Sequence, residues 1–229
     1  QTTKRLIMKK TITTIAVASL LAASGISFQA SATEGLSANV AATNNYLWRG
    51  LEQTGGDAAI SGGIDFASDS GFYAGTWVSN AWGGTELDLY GGFGADINDS
   101  MSYDVGFIYY AYPDADDADF SEIYGSFTFT GLTVGVAMLT SSEDYDAGDS
   151  IYVSADYALA LSNEVEVNFH IGSFSGDQVD AWLGESSVDY GVSVSKDNFT
   201  FGLSKTDFDD GGNSDDMKFY VAYSIDIDL

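Results

Sequence analysis

Carboxylates set the chemical character of this sequence, with 34 Asp and Glu against 8 Lys and Arg, one His and no Cys. Many of the acids recur at alternate positions among small and aromatic residues: Asp65, Glu86, Asp88, Asp96, Asp104, Glu122, Asp156, Glu166, Asp189 and Asp226, with Lys218 as a cation in the same setting. A period of two puts such residues on one face of extended strands. Facing one another across a water-filled interior, these carboxylates would favour small cations and repel anions. Packed with Tyr, Glu and Lys hydrogen bonds, the same residues would instead plug a closed interior that conducts nothing. The sequence leaves both readings open.

His170 is the single histidine and shares its face with Glu166 and Asn168. A histidine beside a carboxylate invites a hydrolase reading, in which it would serve as general base to a nucleophile. No Gly-flanked Ser motif supplies the nucleophile, so His170 is read as a wall residue making a hydrogen bond. No catalytic residue is assigned, and the protein is expected not to be an enzyme. The absence of Cys removes disulfide and thiolate chemistry. Dense acid runs (Asp114 to Asp119, Glu143 to Asp149, Asp207 to Asp216) could attract calcium. None fits a calcium-loop template: in Asp144-Tyr145-Asp146-Ala147-Gly148 the Gly stands one position early. These runs are read as solvated loops, with no metal site and no cofactor. Arg49 is the basic residue of Tyr46-Leu47-Trp48-Arg49-Gly50. A guanidinium flanked by aromatics could fold inward and dock on interior carboxylates, which makes Tyr46, Trp48 and Arg49 a candidate constriction. It could equally stand exposed.

The elements that would carry these residues are strands. From Met217 to Leu229 the odd positions are apolar or aromatic and the even ones mostly small or charged, giving a strand with one greasy and one wet face. An exposed edge on so long a strand invites aggregation, and pairing with the first strand removes it. Similar stretches are Leu36–Asn44, Ala58–Ala67, Gly71–Val78, Thr85–Ile97, Met101–Ala111, Phe120–Thr130, Leu132–Thr140, Ser150–Leu159, Val165–Ser173, Ser187–Ser195 and Phe199–Lys205, about 12 strands in all. Every second join is tight, such as Ser68-Asp69-Ser70, Asn98-Asp99-Ser100 and Lys196-Asp197-Asn198, whereas the others are mostly longer. Short turns at one end and long loops at the other describe an up-and-down antiparallel transmembrane β-barrel. Phe66, Phe72, Phe93, Tyr103, Phe129, Tyr157 and Phe199 gather near the short-turn end of the greasy face, as an interfacial girdle would.

Met8-Lys9-Lys10, the apolar Thr11 to Ala23 and the small-residue site Ala30-Ser31-Ala32 have the layout of a secretory signal peptide. The expectation is an extension and signal-peptide helix over 1–32, cut after Ala32, then one all-β domain over 33–229. Gln1 to Ile7 precede a better start at Met8. Beyond Ala32, only Arg49, Lys196, Lys205 and Lys218 oppose the 34 acids, a formal charge of −30, which repels nucleic acid.

Asn39-Val40-Ala41, then Tyr46-Leu47-Trp48-Arg49-Gly50-Leu51-Glu52-Gln53-Thr54, Ala59-Ile60-Ser61-Gly62-Gly63-Ile64-Asp65 and Gly71-Phe72-Tyr73-Ala74-Gly75-Thr76-Trp77-Val78-Ser79-Asn80 resemble the TorF-type porin family. The likeness covers the leader and the first sixty or so residues after it; the later strands match in layout more than in motif. Leu229 departs from the aromatic on which that family tends to finish. The resemblance implies the outer membrane of a Gram-negative bacterium. Its implied partners are membrane lipid and lipopolysaccharide (with divalent cations as one bridge), small solutes and the barrel-assembly machinery, with no nucleic acid. The expected function is passive diffusion of small cationic or neutral solutes through an acidic lumen; the alternative is a closed barrel with a surface-binding or structural role.

Overall fold

The computed structural model describes residues 35–229. The expected leader helix and the cleavage point at Ala32 lie outside the described residues. The elements run β1 (Gly35–Thr43), β2 (Leu47–Trp48), β3 (Leu51–Glu52), β4 (Ala59–Ala67), β5 (Phe72–Ala81), β6 (Gly84–Asn98), β7 (Met101–Ala111), β8 (Phe120–Phe129), β9 (Leu132–Ser142), β10 (Ile151–Ala160), β11 (Glu166–Ser175), α1 (Asp177–Leu183), β12 (Ser187–Lys196), β13 (Phe199–Thr206) and β14 (Lys218–Asp228). Twelve of the strands form one closed antiparallel barrel, in which each neighbours the next in sequence; β2 and β3 make a separate two-stranded sheet. Closure is by the termini: β1 pairs with β4 from Gly35↔Ala67 to Thr43↔Ala59, and with β14 from Ser37↔Asp228 to Thr43↔Ala222. Backbone donors and acceptors along the last strand are thereby used, and the barrel has no open edge.

The two ends differ. At one, tight turns join β4 to β5, β6 to β7, β8 to β9 and β12 to β13, and a 3-10 turn at Ser162–Glu164 joins β10 to β11. At the other lie the excursions, including 44–58, 112–119, 176–186 and 207–217, of which the third contains α1.

The faces alternate as the pleat requires, with apolar side chains outside. In β9, Leu132, Val134 and Val136 are exposed, whereas Thr133, Ala137 and Leu139 are buried. In β6, Glu86 and Asp88 are buried and Leu89 is exposed. A soluble domain hides the greasy face; here it forms a continuous outer belt. Near the short-turn end that belt is aromatic, with ring contacts Phe72–Phe93 at 5.0 Å and Phe199–Tyr223 at 4.8 Å.

Inside the barrel, tyrosines lie across glycines on the adjacent strand. The cross-strand pairs are Tyr73↔Gly92, Gly75↔Tyr90, Gly106↔Tyr124 and Gly202↔Tyr220. A Cβ at Gly106 or Gly202 would overlap the partner ring. The missing side chain lets each ring lie along the wall, which carries its hydroxyl sideways toward neighbouring strands.

Candidate functional site: a hairpin folded into the barrel

After Thr43 the chain turns into the barrel instead of outward. The Thr43 hydroxyl donates to the Asn45 carbonyl at 3.0 Å, and the Asn45 amide donates to Glu52 at 2.6 Å. Leu47↔Glu52 and Trp48↔Leu51 then pair as a hairpin with Arg49 and Gly50 at its tip. Both tip residues have positive φ, 52° and 78°, as a two-residue connection of the type I′ kind requires. Glycine takes that conformation freely; arginine does so at a cost of about 1 kcal/mol or more, which surrounding contacts must offset.

Those contacts are extensive. One Arg49 nitrogen, Nη2, donates to both Glu122 oxygens at 2.9 and 2.7 Å, in an ion pair whose side chains are 5% and 2% exposed. The guanidinium carbon lies 4.1 Å from the Trp48 ring centroid, 4.6 Å from Tyr152 and 4.7 Å from Phe174. Desolvated cation–π contacts of this kind contribute on the order of 1–2 kcal/mol each. Gly50 sits so close to the far wall that a Cβ there would stand 2.7 Å from Asp189 Cβ. At the hairpin base, the Tyr46 hydroxyl donates to Glu86 at 3.0 Å, and its ring meets Trp77 edge-on at 5.6 Å. Burial, then the Glu86 and Asp88 carboxylates, hold the Tyr46 phenol well above its ordinary pKa, so it remains a donor. Trp48 packs edge-on against Phe174, Phe120 and Tyr110. The hairpin therefore crosses the lumen, from β5 and β6 at its base to β8, β10, β11 and β12 at its tip.

The other acids singled out above fall into four environments. Asp156 and Asp189 bracket His170: Nδ1 lies 2.8 Å from Asp156, while Nε2 faces Asp189 at 3.3 Å and the Tyr152 hydroxyl at 3.0 Å. Tyr152 itself donates to Asp189 at 2.8 Å. Both ring nitrogens are engaged, and none of their partners is a serine or threonine hydroxyl. Asp65 accepts from Tyr90 and, at 3.1 Å, from Asn39; Asp104 accepts from Tyr73 at 2.9 Å. Glu86 and Asp88 are buried on adjacent inward positions of β6, and Asp88 Oδ1 has no hydrogen-bond partner among the described residues. Asp96, Glu166 and Asp226 are different: they lie at the short-turn end and are exposed, away from this ring. Lys218 is buried, donates to the Asn213 carbonyl, and lies 3.9 Å from Glu52.

Tyr73, Tyr90, Tyr110, Tyr124 and Tyr152, which the pattern of acids does not reveal, supply much of the inner hydrogen bonding. Their signal in the sequence is inward parity; the register then sets Tyr73, Tyr90 and Tyr124 opposite glycines, and Tyr110 and Tyr152 opposite larger residues. Beyond the hairpin, at the long-loop end, is a cavity of about 820 Å³ lined by the hairpin, α1 and the loops after β5, β7, β9 and β13. Among the described residues, no group of three or more His, Cys, Asp or Glu is placed to hold a metal ion.

A closed twelve-stranded barrel whose lumen is crossed by an inward hairpin is porin-like in architecture. Residues 28–210 match the family described as "Bacterial protein of unknown function (Gcw_chp)", and the chain belongs to that family. No curated protein matches it in sequence. Among solved structures, it is similar to the KdgM porin, with 9% identity, a TM-score of 0.54, and coverage of 84% of this chain and 99% of that one. It is likewise similar to "KdgM porin in complex with disordered oligogalacturonate", at 8% identity, TM-score 0.54, and coverage of 85% and 98%. A rhombohedral form of the NanC porin aligns at 10% identity, TM-score 0.48, covering 85% and 100%. At these identities the likeness to the KdgM structures establishes the barrel fold alone.

Proposed function

We propose that this protein is an outer-membrane pore of a Gram-negative bacterium that passes small neutral or cationic solutes, with the hairpin of Tyr46, Trp48 and Arg49 as its constriction. The observation that carries the reading is the pairing of faces: a continuous apolar belt outside, and buried carboxylates with a hairpin inside. Lipid is the solvent that makes such a belt stable, because exposed apolar area in water would drive association. The TorF-type likeness of the first strands supports the same placement. On this reading, 1–32 is the exported leader and 33–229 the barrel. Lipid, lipopolysaccharide and the assembly machinery are its partners, and divalent cations can bridge loop acids to lipopolysaccharide phosphates. The lumenal residues are Asp65, Glu86, Asp88, Asp104, Glu122, Asp156, His170, Asp189 and Lys218, with Asp96, Glu166 and Asp226 at the short-turn mouth.

A polyanion such as the oligogalacturonate of the KdgM complex fits this lumen poorly. Arg49 is committed to Glu122, Lys218 lies beside Glu52, Lys196 stands exposed at the end of β12, and Lys205 is on the outward face of β13. Among the described residues no track of cations remains to carry anionic groups. The buried Arg49–Glu122 contact favours a second reading, a barrel held shut. Swelling of liposomes loaded with refolded protein tests both. Entry of small neutral and cationic solutes ahead of anionic solutes of equal size is expected. Preferential anion entry would reject the pore as proposed, and impermeability to all of them would establish the closed barrel.

A further inference from the structure

The outer cavity has features that solvated loops do not need. Its floor is the hairpin, and one side is α1, a seven-residue helix with Gln178 and Val179 buried. Val179 on α1 is fully buried against Ala137, Tyr152 and Phe174, and the Gln178 backbone N–H donates to the Asp149 carbonyl at 2.9 Å. Gly176, with φ 126°, lets the chain pass so close to Asp149 that a Cβ would overlap its carbonyl. This anchoring presents Gln178 and Trp182, four apart on one helix face, to the cavity.

Gln178 is 1% exposed, and its Nε2 has no hydrogen-bond partner among the described residues. A buried amide left in that state costs about 1–3 kcal/mol, which a ligand acceptor would recover. Around it stand flat apolar faces. Trp82 and Trp182 line the cavity while 69% and 49% exposed, and Tyr112 and Tyr145 line it beside them. Asp116, Asp117 and Asp144 add carboxylate acceptors at the rim, none with a side-chain hydrogen bond among the described residues.

We propose that this cavity binds a neutral oligosaccharide of two or three units. A sugar ring offers C–H faces to the indoles, hydroxyl donors to the rim carboxylates, and hydroxyl acceptors to Gln178. An organic cation would satisfy the rings and the acids but would leave the Gln178 donor unmatched. An acidic sugar would meet the rim carboxylates with like charge. The volume of about 820 Å³ is within the range of ligand pockets, about 300–1,000 Å³. The inference deepens the pore reading by naming the solute class. It rests on that reading for the route of the solute and not for its binding.

Binding is therefore measured without a membrane. Detergent-folded full-length protein is titrated with maltotriose, cellotriose and xylotriose, and in parallel with trigalacturonate and spermidine, by calorimetry and tryptophan fluorescence. Saturable binding of at least one neutral trisaccharide is expected, changing little between low and high salt. Trp182→Ala and Gln178→Ala should each weaken it by about tenfold, roughly 1.4 kcal/mol, with folding checked by the heat-dependent gel shift of the barrel. No binding by any neutral trisaccharide would overturn the proposal. So would binding of spermidine alone with affinity falling steeply in salt, or a neutral-sugar affinity unchanged by both substitutions. A protein that conducts in bilayers but binds no sugar would lose this site and keep the pore.

Discussion

Arg49 and Glu122 are 73 positions apart in sequence and meet as a buried ion pair. A guanidinium over three aromatic rings, donating to both oxygens of one carboxylate, is an arrangement lysine cannot copy, since its ammonium is a strongly hydrated point charge. Removing one partner leaves the other charge buried and uncompensated, which typically costs 3–5 kcal/mol. Arg49→Ala should therefore lower the urea midpoint of the folded barrel in micelles by an amount equivalent to about 3–5 kcal/mol. Glu122→Gln added to Arg49→Ala should recover part of that loss, because the stranded carboxylate is gone. An additive double mutant would mean the pair is not coupled. At this scale the sequence is half informative. Arg49 among aromatics in a loop between two strands reads as a candidate for inward docking. Its partner does not, because Glu122 is selected from the acids only once the barrel's successive registers are fixed.

The elements show the same division. The strands are legible because alternation and turn signals are local: the strand expected over Thr85–Ile97 forms as Gly84–Asn98, and that over Val165–Ser173 as Glu166–Ser175. The last strand closing on the first is likewise readable from its two-faced pattern. Helix α1 is not, because seven residues are too few for a helical period to emerge, and the segment 174–186 reads as a loop. Its cues are Gly176 and Gly184 at its two ends and the spacing of Val179 and Leu183. The Tyr–Gly wall was also hidden, because it depends on which residue stands across the strand and not on the strand's own sequence. The hairpin β2–β3 pairs with no barrel strand, so it touches the wall through side chains and adds nothing to the barrel's backbone ladder. Replacing 46–53 with a short Gly-Ser linker should leave a folded barrel that still shows the heat-dependent gel shift, at lower stability. Loss of that shift would mean the hairpin is a folding core and not an insert.

For the whole molecule, the solvent that meets the outer belt decides whether the barrel spans a membrane. Val136 lies mid-strand in β9 and points outward. Val136→Lys should destabilise the barrel in lipid vesicles by about 2–4 kcal/mol, as a cation at the bilayer midplane does. A change of a few tenths of a kcal/mol, typical of a water-exposed surface, would place this face in water. Face parity made the belt readable, and the alternation of short and long joins made the barrel's two ends readable. How far the lumen is filled was not, since that depends on contacts between distant loops and walls. The hairpin as constriction is tested most directly by single-channel recording in planar bilayers, comparing the refolded protein with Arg49→Ala. Small cation-selective steps that grow larger in the variant are predicted. Anion selectivity, equal conductance in the two proteins, or no steps from either would contradict the account.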